Sequence, residues 1–213
     1  MRAYRVAVKV AAVYVTCAFA APGISIAQNP PAGGRGGGQA RRRPIEVMTL
    51  TTKGWEDGGR IPIKHAQPGH DVSPALTWST PPEGTTGFVV LVHDIDAASG
   101  NGLDDVLHWM VWNLPATATS LPEGVPEGGQ RPDGSRQISA SGPYYRGPAA
   151  PPTGPPHSYL FELYALDTML DVAPVTPGQQ IQPAVTRAAV VAAMAGHVRG
   201  KATLVGTFRR AAP

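Results

Sequence analysis

Two apolar runs in the middle of the chain alternate with the two-residue period of β-strands. One face of the first run, residues 88–94, carries Phe88, Val90, Val92 and Asp94, and Asp96 follows if the extension continues. In the second run, one face carries His108, Met110 and Trp112, and the other carries Leu107, Trp109 and Val111. Neither face of this run is polar, so we expect a strand covered on both sides and a His108 that is not free in water.

The same alternation predicts further strands around these two. Short strands are expected near residues 45–50, 61–65 and 76–78, the second at a sheet edge because Pro62 cannot donate to a ladder. The most regular strand begins at His157, with one face formed by His157, Tyr159, Phe161, Leu163 and Ala165. Glu162 points to its other face, and a final strand is expected over residues 201–208.

Helical periodicity is found near the end of the chain, and long stretches lack any period. Alanine-rich residues 183–199 predict the one helix, with Pro183 in its first turn. Residues 115–154, rich in proline and glycine, are expected to be mostly loop, and long loops tend to be functional. Seven or so strands with one late helix predict a single mainly β domain over residues 45–210.

The first 44 residues do not resemble part of that domain. Residues 1–27 combine early basic residues, an apolar stretch and small residues before Gln28, which predicts a secretory signal peptide; an uncleaved anchor is the alternative. The Gly-, Pro- and Arg-rich residues 28–44 predict a disordered linker. We therefore expect a periplasmic or secreted protein. Since Cys17, the only cysteine, lies in this leader, no disulfide is expected in the mature protein.

Charge is distributed unevenly along the chain. Of the 18 Lys and Arg residues, seven lie in residues 1–44, which contain no acid. The remaining 11 stand against 15 acids, so residues 45–213 have a net charge of −4. The basic character belongs to the leader and linker, and we expect no nucleic-acid partner.

Polar residues at strand ends are the candidates for chemistry. They are Asp94, Asp96, His108, His157 and Tyr159, together with the proline loop from Gly147 and Pro148 to Gly154. Two histidines and a tyrosine beside a carboxylate can donate several hydrogen bonds to an anion. The carboxylate would not contact the anion, because like charges repel. It would instead orient a histidine and favour the charged form of that histidine. The alternative is structural: buried histidines often bond to backbone carbonyls, and an Asp after a strand is often a turn residue.

Other site classes have little support in the sequence. It contains no H-E-x-x-H motif and no paired histidines at helical spacing, so no metal or cofactor is expected. No serine lies in a G-x-S-x-G setting. We therefore expect a non-enzymatic protein, and a hydrolase using His108 as base with Asp94 as its orienter is a weaker hypothesis.

Five ordered blocks of residues resemble the phosphatidylethanolamine-binding protein family, in its bacterial Raf-kinase-inhibitor-like branch. They cover about residues 45–208. The blocks are Ser73-Pro74 with Leu76 and Trp78, Asp94-Ile95-Asp96-Ala97, His108-Trp109 with Asn113 and Pro115, Gly147-Pro148 to Tyr159, and Gly196-His197 with residues 201–206.

The resemblance implies an antiparallel β fold of two sheets with a C-terminal helix, long Pro/Gly-rich loops and a shallow anion pocket. It assigns that pocket to Asp94, His108, His157 and Tyr159, with Asp96 at its edge, and implies phosphate or phospholipid headgroups as ligands. The alternative function is an inhibitor or interaction protein that acts on a protease or kinase-like partner through residues 121–154. The sequence leaves a homodimer open.

Three positions depart from the family pattern. Ile95 replaces a proline between the aspartates, which puts the local backbone geometry in question. The Ala149-Ala150 pair shifts the prolines of the loop and is expected to alter the pocket wall. Ser158 replaces an arginine, and the loss of its positive charge is expected to weaken anion affinity.

Overall fold

The computed structural model describes residues 44–212, which form two sheets and one α-helix. The predicted leader and most of the predicted linker lie outside these residues. The strands are β1 (Glu46–Val47), β2 (Leu50–Thr51), β3 (Leu76–Trp78), β4 (Gly87–Ser99), β5 (Asp104–Pro115), β6 (Ser120–Leu121), β7 (Arg136–Ile138), β8 (His157–Leu166) and β9 (Val198–Phe208). The helix α1 spans Pro183–Met194. Within residues 44–212, no helix is long and apolar enough to cross a membrane.

A six-stranded sheet in the order β1-β9-β8-β4-β5-β7 is the centre of the domain, and β2-β3-β6 form a smaller sheet. Neighbouring strands run antiparallel except for the short β1, which pairs in parallel with β9. The predicted mainly β fold of two sheets with a C-terminal helix is therefore confirmed.

Both faces of the large sheet are buried. One face packs against the small sheet through a core that includes Phe88, Val90, Trp109, Phe161 and Leu163. The other face packs under α1 through Val89, Leu91, Met110, Trp112 and Val190. The faces predicted for β4 and β8 agree with this division, since alternate residues of each strand enter different cores.

Bulges in β5 change the faces that strict alternation predicts for that strand. Val92 is opposite Trp109 and His93 is opposite Leu107, so His108 is an extra residue between two paired positions. Met110, Trp112 and Leu107 lie in the core under α1, whereas the His108 ring contacts Tyr159 on the opposite face. The prediction that His108 shares a face with Met110 and Trp112 was wrong, because a bulge resets the alternation.

Two further predictions were wrong in detail. Residues 63–65 form a 3₁₀ helix instead of an edge strand, and only an isolated bridge between Arg60 and Thr207 remains of that pairing. The helix ends at Met194, short of residue 199, because Gly196 adopts a left-handed φ of 84° and β9 begins at Val198. The segment 115–154 is mostly loop, as predicted, and contains only the short strands β6 and β7.

A chain of charged side chains crosses the face of the sheet that lies under α1. Arg187 of α1 pairs with both carboxylate oxygens of Asp105, and Asp105 Oδ2 lies 2.5 Å from His93 Nδ1. His93 Nε2 lies 3.3 Å from Glu162 Oε2, and Lys201 Nζ lies 2.6 Å from Glu162 Oε1. These contacts link α1, β5, β4, β8 and β9, so every charge in the chain has a partner of opposite sign.

Within this network of ion pairs, the pKa shifts of Glu162 and His93 favour their charged forms. Burial opposes ionisation of Glu162, but His93 and Lys201 lower its pKa to about 2. Burial also opposes the charge on His93, yet the neighbouring Glu162 and Asp105 raise the pKa of His93 above its usual value. The neighbouring groups therefore favour the ionised form of Glu162 and the protonated form of His93.

Glu162→Gln should lower the free energy of unfolding by about 3 kcal/mol at neutral pH, because one pKa unit corresponds to about 1.4 kcal/mol. The folded pKa lies below the ordinary value of 4.5, so this stability is present above pH 4.5 and is lost as pH falls toward 2. Denaturant titrations at several pH values should show a shallower acid decline in the variant. An equal effect from Glu83→Gln, at an exposed glutamate, would contradict this assignment.

Asn113 occupies a bulge of β5 with a φ of 59°. Its side-chain amide donates to the Leu170 carbonyl at 2.9 Å and its oxygen accepts from the Leu170 amide at 2.8 Å. The side chain thus ties the segment after β8 to the sheet. Asparagine is among the few residues that adopt a positive φ without large strain.

Asn113→Ala should lower the free energy of unfolding by about 3 kcal/mol, since it leaves two buried backbone groups of Leu170 without partners. Asn101→Ala, at an exposed loop position, is the control and should change it by less than about 0.5 kcal/mol. Guanidinium titration measures both. Equal midpoints for the two variants would show that the Leu170 bonds do not stabilise the fold.

Candidate functional site

Asp94 is a buried carboxylate at the end of the apolar part of β4. It is paired with Tyr159 of β8, and the residue is 4% exposed. Oδ2 lies 2.9 Å from His157 Nδ1, and Oδ1 accepts the backbone N–H groups of Asp96 and Ala97, each at 3.0 Å. A buried carboxylate without such partners would be strongly destabilising. Asp94 is therefore both a turn residue and the orienter of a histidine, and that histidine is His157.

His108 lies in the bulge of β5 and forms, with Asp94, His157 and Tyr159, the group of polar side chains that is the candidate site. Its Nδ1 donates to the Arg146 carbonyl at 2.7 Å, and its ring meets the Tyr159 ring edge to face with centroids 5.0 Å apart. Burial keeps the pKa of His108 below its usual value, although the Arg146 carbonyl and the Asp94 carboxylate act in the opposite direction. The weaker hydrolase hypothesis assigned Asp94 as the orienter of His108; in the structure a backbone carbonyl has that role.

Tyr159 connects this group to the proline loop. Its hydroxyl oxygen accepts the backbone N–H groups of Ala149 and Ala150, each at 3.2 Å. Burial and the nearby Asp94 carboxylate raise the pKa of Tyr159, so the side chain remains a phenol with a proton to donate. A proline at position 149 or 150 would have no N–H to donate, so both bonds require non-proline residues at these positions.

Gly147 and Pro148 form the part of the proline loop beside His108, and the Gly147 backbone acts on the pKa of His108 in the upward direction. The Gly147 N–H donates to Asp71 Oδ1 at 2.9 Å, and its carbonyl accepts from Gln67 Nε2 at 2.9 Å. The Pro148 carbonyl accepts the Gln67 N–H at 3.0 Å. A Cβ on Gly147 would collide with the His65 carbonyl oxygen, so only glycine fits this close approach. Both residues hold the loop in place, and their backbone polar groups are already used.

Asp96 is an exposed residue at the edge of the group. Its Oδ2 accepts the Ser158 N–H at 2.6 Å, next to His157. Ile95, between the two aspartates, is 52% exposed, and hydrogen bonds to Asp94 hold the backbone of β4 on either side of it. Residues 44–212 contain no cis peptide bond. The irregular part of β4 between Asp94 and Ser99 is thus held by the Asp94 carboxylate without a proline.

The group is more enclosed than the shallow pocket that the resemblance implies. Asp94, His108 and Tyr159 are 1–4% exposed, whereas the His157 side chain is 21% exposed. The loop residues just before His157, residues 153–156, are exposed. An anion would therefore meet His157 first, and contact with His108 and Tyr159 requires movement of the loop 147–156.

The long segment 121–154, which the alternative function assigns to a protein partner, is anchored along its length. Gln137 is fully buried; its Oε1 accepts from Trp109 Nε1 at 2.9 Å, and its Nε2 donates to the Pro126 carbonyl at 2.6 Å. The Tyr145 hydroxyl donates to the His65 carbonyl at 3.0 Å. These contacts fix the segment 121–154 to the rest of the domain through buried hydrogen bonds.

Several residues that hold the group were not identified from the sequence. Asp71 and Gln67 fix the loop, and the Arg146 carbonyl orients His108. Asp71 has a φ of 51°, and nothing in the sequence around it indicates a bond to a residue 76 positions away. The Ala149-Ala150 departure from the family pattern was the one sequence feature that pointed to this part of the loop. The amides of both residues donate to the Tyr159 hydroxyl.

Comparisons with known proteins agree with this fold. A sequence model described as phosphatidylethanolamine-binding protein matches residues 51–209. A UPF0098 protein of Methanothermobacter thermautotrophicus is 40% identical over 165 residues, covering 76% of this chain and 99% of that protein. A putative lipoprotein, LppC, of Mycobacterium tuberculosis is 31% identical over 194 residues, covering 82% of this chain and 87% of that protein.

A solved structure has the same fold. The crystal structure of Escherichia coli YbcL, described as a new member of the mammalian PEBP family, matches with a TM-score of 0.59 and 27% identity. The match covers 76% of this chain and 98% of YbcL.

Tyr159→Phe should speed hydrogen exchange at the Ala149 and Ala150 amides by about tenfold, because both lose their acceptor. Exchange measured by NMR at neutral pH tests this. Tyr144→Phe is the control, since the Tyr144 hydroxyl donates to the Ser141 carbonyl elsewhere in the loop. Unchanged protection at both alanines in Tyr159→Phe would show that the hydroxyl does not hold the loop.

Proposed function

Since the chain belongs to the phosphatidylethanolamine-binding protein family, we propose that it is a non-enzymatic binding protein that holds a small anion at His157, His108 and Tyr159. The anion is free phosphate or the phosphate of a phospholipid headgroup. The observation that carries the proposal is the 2.9 Å contact between Asp94 and His157 beside two further buried donors. We also propose export to the periplasm or beyond, supported by the leader pattern and by the relative named a putative lipoprotein.

The hydrogen bonds of the two histidines determine when they can bind an anion. His157 Nδ1 faces the Asp94 carboxylate, and His108 Nδ1 faces the Arg146 carbonyl, so each Nδ1 carries a proton. In a neutral ring Nε2 is then an acceptor, and it becomes a donor only when the ring is protonated. The proposed site therefore binds anions through imidazolium rings.

Asp94 supports this role without contacting the anion. Its negative charge acts to raise the pKa of His108, and its own oxygens are engaged by the Asp96 and Ala97 amides and by His157. The phenol of Tyr159 supplies a further donor, because its oxygen already accepts two amides. Asp96 fixes the backbone beside His157 through the Ser158 amide.

Sulfate should bind more tightly at about pH 5 than at about pH 8, because both histidines donate from Nε2 only when protonated. Since the pKa of His108 is below its usual value, the increase in sulfate affinity that its protonation causes should appear below about pH 6.5. Sulfate is the probe because its charge is constant over this range, whereas a phosphate group titrates near pH 6. Calorimetry at constant ionic strength measures the affinity.

His157→Gln should weaken sulfate binding at about pH 5 by about tenfold, the value of one charged hydrogen bond. His70→Gln, at an exposed histidine outside the group, should leave it unchanged. Parallel titrations with phosphate and phosphoethanolamine distinguish a free ion from a headgroup. If wild-type protein binds none of the three at either pH, the proposed function is wrong.

A further inference from the structure

Three exposed arginines lie together at one end of the large sheet, where β9 ends. Arg209 and Arg210 follow directly after Phe208, the last residue of β9. Arg60 pairs with Thr207 in an isolated parallel bridge, and the adjacent Ile61 N–H donates to the Thr207 carbonyl at 2.8 Å. Backbone hydrogen bonds thus hold Arg60 beside the two consecutive arginines.

These arginines lack acidic partners. Within residues 44–212, no carboxylate lies within ion-pair distance of Arg60, Arg209 or Arg210, whereas Arg187 and Arg199 each pair with an aspartate. One N–H of Arg209 donates to the Gly154 carbonyl at 2.9 Å, which leaves most of its five donors free. Since residues 45–213 carry a net charge of −4, the cluster is a local reversal of the domain's charge.

Two cavities adjoin the cluster, and both are lined by all three arginines and by Phe208. The larger has a volume of about 800 Å³ and an apolar wall that includes Ile61 and Pro62. The smaller has a volume of about 300 Å³ and is closed by Pro152 and Pro156. Cavities of this size accommodate small organic molecules. Their concave shape favours such a molecule over a flat membrane surface.

This place is distinct from the site proposed above. Neither cavity is lined by Asp94, His108, His157 or Tyr159. The two places are neighbours: His157 is paired with Phe208 across β8 and β9, and the Arg210 N–H donates to the Ala150 carbonyl at 3.1 Å, while the Ala150 N–H donates to Tyr159.

We propose that Arg60, Arg209 and Arg210 form a second binding site, for a small organic molecule that carries at least two carboxylate or phosphate groups. The planar guanidinium donates two parallel hydrogen bonds to either group. Three such cations around a cavity with an apolar wall select a polyanion over a single anion. The ligand's carbon framework packs against Pro62, Ile63 and Pro68, which line the larger cavity.

Calorimetry at low ionic strength and about pH 8, where the proposed histidine site has lost its imidazolium donors, tests this site with citrate and with pyrophosphate. Acetate and phosphate are the singly grouped controls. Wild-type protein should bind citrate about tenfold more tightly than acetate, or pyrophosphate about tenfold more tightly than phosphate. The tighter of the two polyanions shows whether the site prefers carboxylate or phosphate groups. Arg209→Gln/Arg210→Gln should weaken that binding by about tenfold or more. Lys53→Gln, at an exposed lysine away from the cluster, should leave it within about twofold.

His157→Gln separates this site from the one proposed above, and its polyanion affinity should equal that of wild type. Loss of sulfate binding in His157→Gln with retention of polyanion binding supports two sites. The second site is refuted if wild type binds neither polyanion, if the double arginine variant binds as tightly as wild type, or if Lys53→Gln loses as much affinity. Circular dichroism of each variant establishes that it is folded.

Discussion

Burial of the large sheet on both faces is the constraint on which the rest of the structure depends. Strands β4 and β8 lie in its middle, with the small sheet over one face and α1 over the other. Any polar side chain that these strands carry must find a partner inside the protein, because water does not reach it. The polar residues of the two strands are therefore organised into networks, one on each face.

The two networks differ in how completely they are closed. Under α1, Arg187 and Lys201 terminate a chain in which Asp105, His93 and Glu162 alternate in charge. On the other face, Asp94 has three bonds from its own turn and from His157, but the second nitrogen of His157 is left for a partner. A closed network stabilises helix packing, whereas the open one offers donors to a ligand.

The proline loop connects the open network to distant parts of the chain. Asp71 and Gln67 hold Gly147 and Pro148, and this places the Ala149 and Ala150 amides on the Tyr159 hydroxyl. The departures from the family pattern at Ile95 and at Ala149-Ala150 therefore differ in their effect on the candidate site. Ile95 is exposed and the backbone beside it is held by Asp94, whereas Ala149 and Ala150 supply the two amides that donate to Tyr159.

Local alternation by itself determined the faces of β4 and β8, and thereby placed Asp94 with Tyr159 and set Glu162 on the opposite face. Only the tertiary structure decided where His108 lies, because a bulge adds one residue to β5 and turns its ring toward Tyr159. A bulge depends on how two strands pair, and the period of one strand carries no record of it. The contacts of Asp71 and the gathering of Arg60 with Arg209 and Arg210 were decided in the same way, by packing between segments far apart in the chain.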